Sequence, residues 1–288
     1  MPLIALFYIV LAAVAHAFWN FLAKRHADCR HIIFFSSAGE VLILLPILAS
    51  TKFTYRNATA ALICLLATGA LHILYTESLL RGYRSADLSI VYPLARGSGP
   101  LLAFAGAIPL LNERFTVISV AGTLLIAYGI LVVCGGMKAL IRHDARAGVR
   151  WGVTTGLTIA AYTLVDGYAV AAVGLSPFLI EFAGSFFRMT GLSVAFGRTL
   201  RQDRSAIAGE YRECWKAALG ISILMPAAYI LVLYAMRIAP VSHVAPAREM
   251  SMLIGAWMGA RLLKEGNVAR RVAGSCLIGV GVAALAIH

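Results

Sequence analysis

The sequence predicts an all-α membrane protein whose ten transmembrane helices form two inverted five-helix repeats. Three observations predict it. First, 60% of the 288 residues are hydrophobic and only 13% are charged, whereas about 25% of a soluble domain's residues are charged. Second, apolar runs of about 20 residues, enough for a helix to cross about 30 Å of hydrocarbon, recur along the chain. Third, a shift of 152 residues superimposes Ala95-Arg96 on Ala247-Arg248, and 12 of the 37 pairs from Leu94 to Ile130 are identical without a gap. Those identities include Glu113 on Glu265, Gly122 on Gly274 and Gly129 on Gly281. Self-similarity at a fixed period marks a repeated structural unit.

Ten spans follow: 3–22, 31–50, 58–80, 87–110, 115–135, 150–171, 176–198, 214–236, 240–262 and 268–287. Spans four and five carry one copy of the echo, and spans nine and ten carry the other. The repeats are therefore residues 1–140 and 148–288, five helices each, with the connection near 136–149 as their boundary. An odd number of crossings per unit makes the second copy enter the bilayer from the opposite side. Inverted repeats that meet near the midplane are the usual scaffold of a secondary transporter.

Orientation follows from the 25 lysines and arginines, because short cytoplasmic loops collect them. The connections after spans one, three, five, seven and nine hold 18, among them Lys24, Arg25, Arg81, Arg84, Arg146 and Arg204. The opposite loops hold Lys52, Arg56, Arg114 and Arg237. Both termini are therefore placed outside the cytoplasm, in a multi-pass membrane protein. The formal charge of +12 reflects this bias and an affinity for anionic lipid headgroups. With no basic soluble domain to carry it, nucleic-acid binding is excluded.

The first apolar run lacks a basic flank and a small-residue cleavage site after Trp19-Asn20, so it reads as a retained helix and not a signal peptide. Cys29, Cys64, Cys134, Cys214 and Cys276 are scattered and odd in number, which argues against disulfides and a metal centre. No cofactor motif is present.

Three arginines lie mid-span: Arg96, Arg188 and Arg248. A charge at that depth needs a wet cavity or a partner. Arg96 and Arg248 are also repeat mates, placed by pseudosymmetry at similar depth on opposite walls. Glu40 and Asp166 are the deep acids. Glu249 turns about 100° from Arg248 and can neutralise a charge on another helix, whereas Glu77 and Glu181 lie within a turn or two of an interface, where they can snorkel to water. Polar aromatics and histidines share these helices at spacings of four: His16 with Asn20, Tyr92 with Arg96, Tyr162 with Asp166. Trp19, His72, Tyr75 and Tyr229 complete the set. These residues are expected to line a central polar cavity and to contact a substrate. A structural reading stands beside this one, in which each buried Arg–acid pair only locks two helices together.

Glu113 and Glu265 sit at helix ends next to basic residues, and both read as a cap or ion pair fixing a joint. Gly122 and Gly129, and their mates Gly274 and Gly281, form small-residue stripes that act as packing faces. Helices five and ten have almost no ionisable groups and belong at the periphery, where a homodimer contact and a monomer are equally compatible. Pro93, Pro100, Pro226 and Pro246 each remove a ladder hydrogen bond inside a span. Those next to Arg96 and Arg248 read as hinges or as passive kinks.

The Pro93-Leu94-Ala95-Arg96 segment, the following Asn112-Glu113-Arg114 and the glycine-spaced fifth helix resemble the EamA family of the drug/metabolite transporter superfamily. The resemblance runs over the whole chain and is strongest over residues 87–134 and 240–287; His16-Ala17-Phe18-Trp19-Asn20 and Lys24 are similar to that family's opening helix. It implies a ten-helix basket, with helices one to four and six to nine around the cavity and five and ten outside. Family members move amino acids, amines, sugars and other metabolites. The residues are expected to serve alternating-access transport of a small polar metabolite, an amino acid or related zwitterion or anion, with protons as the candidate coupling ion. An aminophosphonate-type uptake permease is the alternative, since guanidinium forks suit tetrahedral oxyanions as well as carboxylates. An intramembrane enzyme is the reading from another class, but no nucleophile or metal-ligand cluster supports it.

Overall fold

A computed structural model of the chain describes residues 1–26, 28–51, 55–85, 88–134, 146–254 and 268–287. Among the described residues every regular element is helical. The principal helices are α1 (Leu3–Arg25), α2 (Ile32–Ser50), α3 (Ala58–Ser85), α4 (Leu88–Leu111), α5 (Val117–Cys134), α6 (Arg146–Tyr168), α7 (Pro177–Ala195), α8 (Arg204–Ile238), α9 (Val241–Ala247) and α10 (Val268–Ile287). A short helix, Gly197–Gln202, links α7 to α8. Among the described residues, seven helical stretches are long and apolar enough to cross a membrane. The outer surface fits such a setting: Leu3, Leu42, Leu110, Leu124, Val194 and Val280 are all exposed, an apolar area that a soluble monomer does not present to water.

Helix limits fall close to the hydropathy spans for α1 to α7 and α10. The ninth span, 240–262, covers α9 and the turn after it and then runs outside the described residues, and α8 starts ten residues before position 214. Its 35 residues extend about 50 Å at 1.5 Å per residue, more than the hydrocarbon requires. The additional turns carry Arg204, Glu210, Arg212 and Glu213 beyond the apolar stretch. There His31, in the α1–α2 connection, is bound by Glu210 through its backbone N–H (2.8 Å) and its Nδ1 (2.7 Å). Cys29 and Cys214 are paired as a disulfide at the same joint, their Cα atoms 6.6 Å apart. That corrects the expectation of unpaired cysteines, which rested on spacing: residues 185 positions apart meet only through the tertiary fold.

Two helix ends carry special backbone conformations. α6 runs into a π-helical turn, Ala169–Val173, closed by Gly174 at φ 81°. The Leu175 N–H returns to the Ala169 carbonyl (2.9 Å), and only glycine takes that left-handed position without cost. α4 ends at Asn112, φ 54°, a residue type that tolerates the same region. Beyond it both oxygens of Glu113 accept N–H groups at the start of α9, from Val241 (2.7 Å) and Ser242 (2.9 Å). Glu113 is thus a carboxylate cap on α9; Glu265 lies outside the described residues.

α1 packs on α8 and α3 packs on α6; α2 contacts both α7 and α8. α5 and α10 pack on each other. A Cβ on Gly122 would stand 2.9 Å from the Gly281 carbonyl oxygen, and one on Gly129 would stand 2.7 Å from that of Gly274. The reversed order of those pairs makes the two helices antiparallel. Gly122 thus meets Gly281, and Gly129 meets Gly274. The glycine stripes serve as packing faces within one chain. At the other end of the bundle the Met1 ammonium donates to the Ala286 carbonyl (3.1 Å), so both ends of the chain lie on one face.

Prolines do not break most spans: α4 continues through Pro93 and Pro100, and α8 continues through Pro226. At Pro246 the backbone does change. α9 tightens into a 3-10 turn over Arg248–Met250 and then resumes at 251–254. This turn aims Arg248 and Glu249 inward.

Candidate functional site

A cavity of about 110 Å³ lies inside the bundle. Its walls come from α1, α3, α4, α6, α7, α8 and the α9 segment, and α5 and α10 contribute nothing among the described residues. Of the thirteen residues expected at a site, nine line it: His16, Trp19, His72, Tyr75, Arg96, Tyr162, Arg188, Tyr229 and Arg248. Glu40 and Asp166, both wholly buried, stand behind the wall and support it. Asn20 departs from the expected stripe; its side-chain amide donates to the His16 carbonyl (2.7 Å) of its own helix. Tyr92's side chain lies outside the described residues. Hydropathy placed Glu181 near an interface, yet it is 3% exposed and part of the wall, because α7 turns its 181–185–188 face inward against α2 and α3. Ser251 also lines the cavity; no sequence signal distinguished it from other helix serines.

Two ionic clusters organise the walls. In the first, Arg96 Nη2 lies 2.8 Å from Glu249 Oε2, and Arg248 Nε lies 3.6 Å from Glu249 Oε1. One carboxylate, 1% exposed, thus bridges the two repeat-related arginines. Arg96 also reaches Ser251 (3.4 Å), and Arg248 donates to the Tyr162 hydroxyl (3.4 Å) with its guanidinium 5.9 Å from that ring's centre. In the second, Arg188 forms an ion pair with Glu40 and donates from Nε to Ser37 (3.0 Å), while Ser185 donates to the same Glu40 oxygen (2.7 Å). Glu181 stands 3.9 Å from the Arg188 guanidinium.

Aromatic rings fill the space between the clusters. His72 stacks on Tyr162 at 4.6 Å, and Tyr75 and Tyr229 meet Tyr162 edge-on at 5.8 and 6.1 Å. The His72 Nδ1 lies 2.9 Å from the Thr68 carbonyl; a carbonyl only accepts, so Nδ1 is the donor in this contact. Tyr229 donates to Asp166 (2.6 Å). On α1 the Trp19 indole donates to His16 Nδ1 (3.3 Å), which fixes both rings at the cavity edge.

A larger cavity of about 440 Å³ opens where α4, α6 and α8 end and α9 begins. Its charged side chains are Glu113 and Arg237, and the Glu113 oxygens are both committed to the α9 cap. The concentration of chemistry is in the smaller, interior space. Among the described residues, no group of three or more His, Cys, Asp or Glu side chains converges as a metal site would require.

No family model matches the chain, and no curated protein matches it. Solved structures do. One, described only as "Crystal structure of protein", aligns over 100% of this chain and 98% of its own at 13% identity, with a TM-score of 0.77. The likeness extends over both chains almost end to end and establishes a shared fold. The class defined by fold and site together is an all-helical protein, with several helices fit to cross a membrane, built around an interior, charged cavity.

Proposed function

We propose that the protein is a secondary active transporter of the EamA family in the drug/metabolite transporter superfamily. It would carry a small polar zwitterion or anion across a bacterial inner membrane by alternating access of two inverted halves. The observation that carries this reading is the cavity wall in which Arg96 and Arg248, equivalent residues of the two halves, share Glu249 across the interior. Charge buried at that depth is retained where it borders a water-accessible path. The antiparallel, crosswise pairing of the α5 and α10 glycines supports the inverted relation between halves. The two arginines provide an oxyanion site, bidentate for a carboxylate and equally suited to a phosphonate. An amino acid fits this pole, and an aminophosphonate taken up by the cell is the second reading. Placement of both termini outside the cytoplasm rests on the Lys/Arg bias of the loops.

The test is substrate-dependent flux in proteoliposomes, with and without an imposed proton gradient. Flux of a zwitterion that is abolished in folded Arg248→Ala supports the reading. Absence of flux across a broad metabolite panel, accompanied by turnover of a lipid or soluble substrate, would replace it with an intramembrane enzyme.

A further inference from the structure

Arg188 faces two carboxylates and balances only one. Its guanidinium is committed to Glu40, and the single hydroxyl proton of Ser185 goes to Glu40 at 2.7 Å. The same hydroxyl lies 3.3 Å from Glu181, but a hydroxyl has one proton to give. Glu181 is left as a buried carboxylate in the cavity wall, with a 3.9 Å contact to a cation that is already neutralised. One further acceptor close by, Glu40 Oε1, has no hydrogen-bond partner among the described residues. The charged and titratable groups facing Glu181 are Glu40 from α2, His72 and Tyr75 from α3, Asp166 and Tyr162 from α6, Arg188 from its own helix and Tyr229 from α8. Arg96 and Arg248 line the same cavity but are engaged by Glu249, so Arg188 is the guanidinium set against Glu40 and Glu181.

What completes such a site is a cation rich in donors and devoid of acceptors, which describes a primary ammonium group. The rings of His72, Tyr75, Tyr162 and Tyr229 border the same space, and aromatic faces attract cations. A volume of about 110 Å³ equals roughly four water shares of about 30 Å³ each, so the ligand is compact. We propose that Glu181 is the specificity-determining residue that receives the ammonium group of a compact primary amine. Glu40, one of the two deep acids of the sequence, holds Arg188 in place. The proposal rests on the transporter reading for its biological use but is testable without it.

The experiment uses the full chain in lipid nanodiscs, with alanine, serine and threonine, each compared with its N-acetyl derivative, as probes in thermal-shift titrations. At least one free amino acid is expected to bind about tenfold more tightly than its N-acetyl form, since a buried charge-assisted contact is lost on acetylation. Glu181→Gln should abolish that difference, and Glu181→Asp should retain part of it. The wild-type comparison stands even where the Gln variant does not fold. Equal binding of the N-acetyl forms, discrimination that survives in Glu181→Gln, or no shift with any probe overturns the proposal. Counterflow in proteoliposomes separates it from the transporter reading. Glu181-dependent binding without flux removes the carrier and keeps the ammonium site, whereas flux of N-acetylated and free forms alike removes the site and keeps the carrier.

Discussion

The carboxylate of Glu249 lies 2.8 Å from the Arg96 guanidinium and, from the adjacent position in sequence, also faces Arg248. A single buried acid thereby ties α4 to the turn after α9. Glu249→Ala leaves two guanidiniums facing each other without their counter-charge. Breaking a buried ion pair from one side costs about 3–5 kcal/mol. The variant is expected to unfold at markedly lower temperature in detergent; unchanged thermal stability would mean the bridge contributes nothing.

The crosswise glycines make a steric prediction. A Cβ on Gly281 would stand 2.6 Å from the Gly122 carbonyl oxygen and equally close to Ile126, so Gly281→Ala must push α5 and α10 apart. Overpacking of this kind costs about 1–3 kcal/mol. A Cβ on Gly279, two residues earlier, would meet nothing within 4 Å, and Gly279→Ala is the neutral control. Thermal denaturation of the two variants side by side reads the difference, and equal stability would refute the close approach.

Glu113 closes the start of α9 from the first half. Glu113→Ala removes both acceptors from the Val241 and Ser242 N–H groups. The loss of a helix cap costs about 0.5–2 kcal/mol, with Glu113→Gln recovering part because its amide keeps one acceptor oxygen. Amide hydrogen exchange at 241 and 242 is the direct measurement. Faster exchange in the Ala variant is the expected result.

Tyr229 donates the short hydrogen bond that Asp166 accepts. Tyr229→Phe leaves that buried carboxylate without this donor, and an unsatisfied buried group costs about 1–3 kcal/mol. Tyr229→Phe combined with Asp166→Asn should recover much of the loss. A double mutant whose loss equals the sum of the single losses would show that the two residues act independently.

Much of the architecture was legible in the chain. Helix limits follow from runs of apolar residues because a bilayer selects on length and hydropathy, both local properties. The peripheral place of α5 and α10 followed from their lack of ionisable residues. Glu113 was recognisable as a cap from its position after a span. The partners of the buried charges were not legible. Glu181 looked snorkelled because depth was counted from the ends of a hydropathy window, which carries no information on helix tilt. Asn20 sat at the right spacing for a polar stripe but used its amide on its own backbone. Cys29 and Cys214 showed no motif at all.

By itself, the sequence determined the placement and length of most helices and the presence of interior charge, since both are encoded by the order and type of neighbouring residues. Only the tertiary structure decided that Glu249 joins Arg96 to Arg248, that Glu40 takes Arg188, and that Glu181 is left facing the cavity. Those outcomes depend on which helix faces meet and at what depth. They are set by packing among segments far apart in the chain, and no local pattern records them.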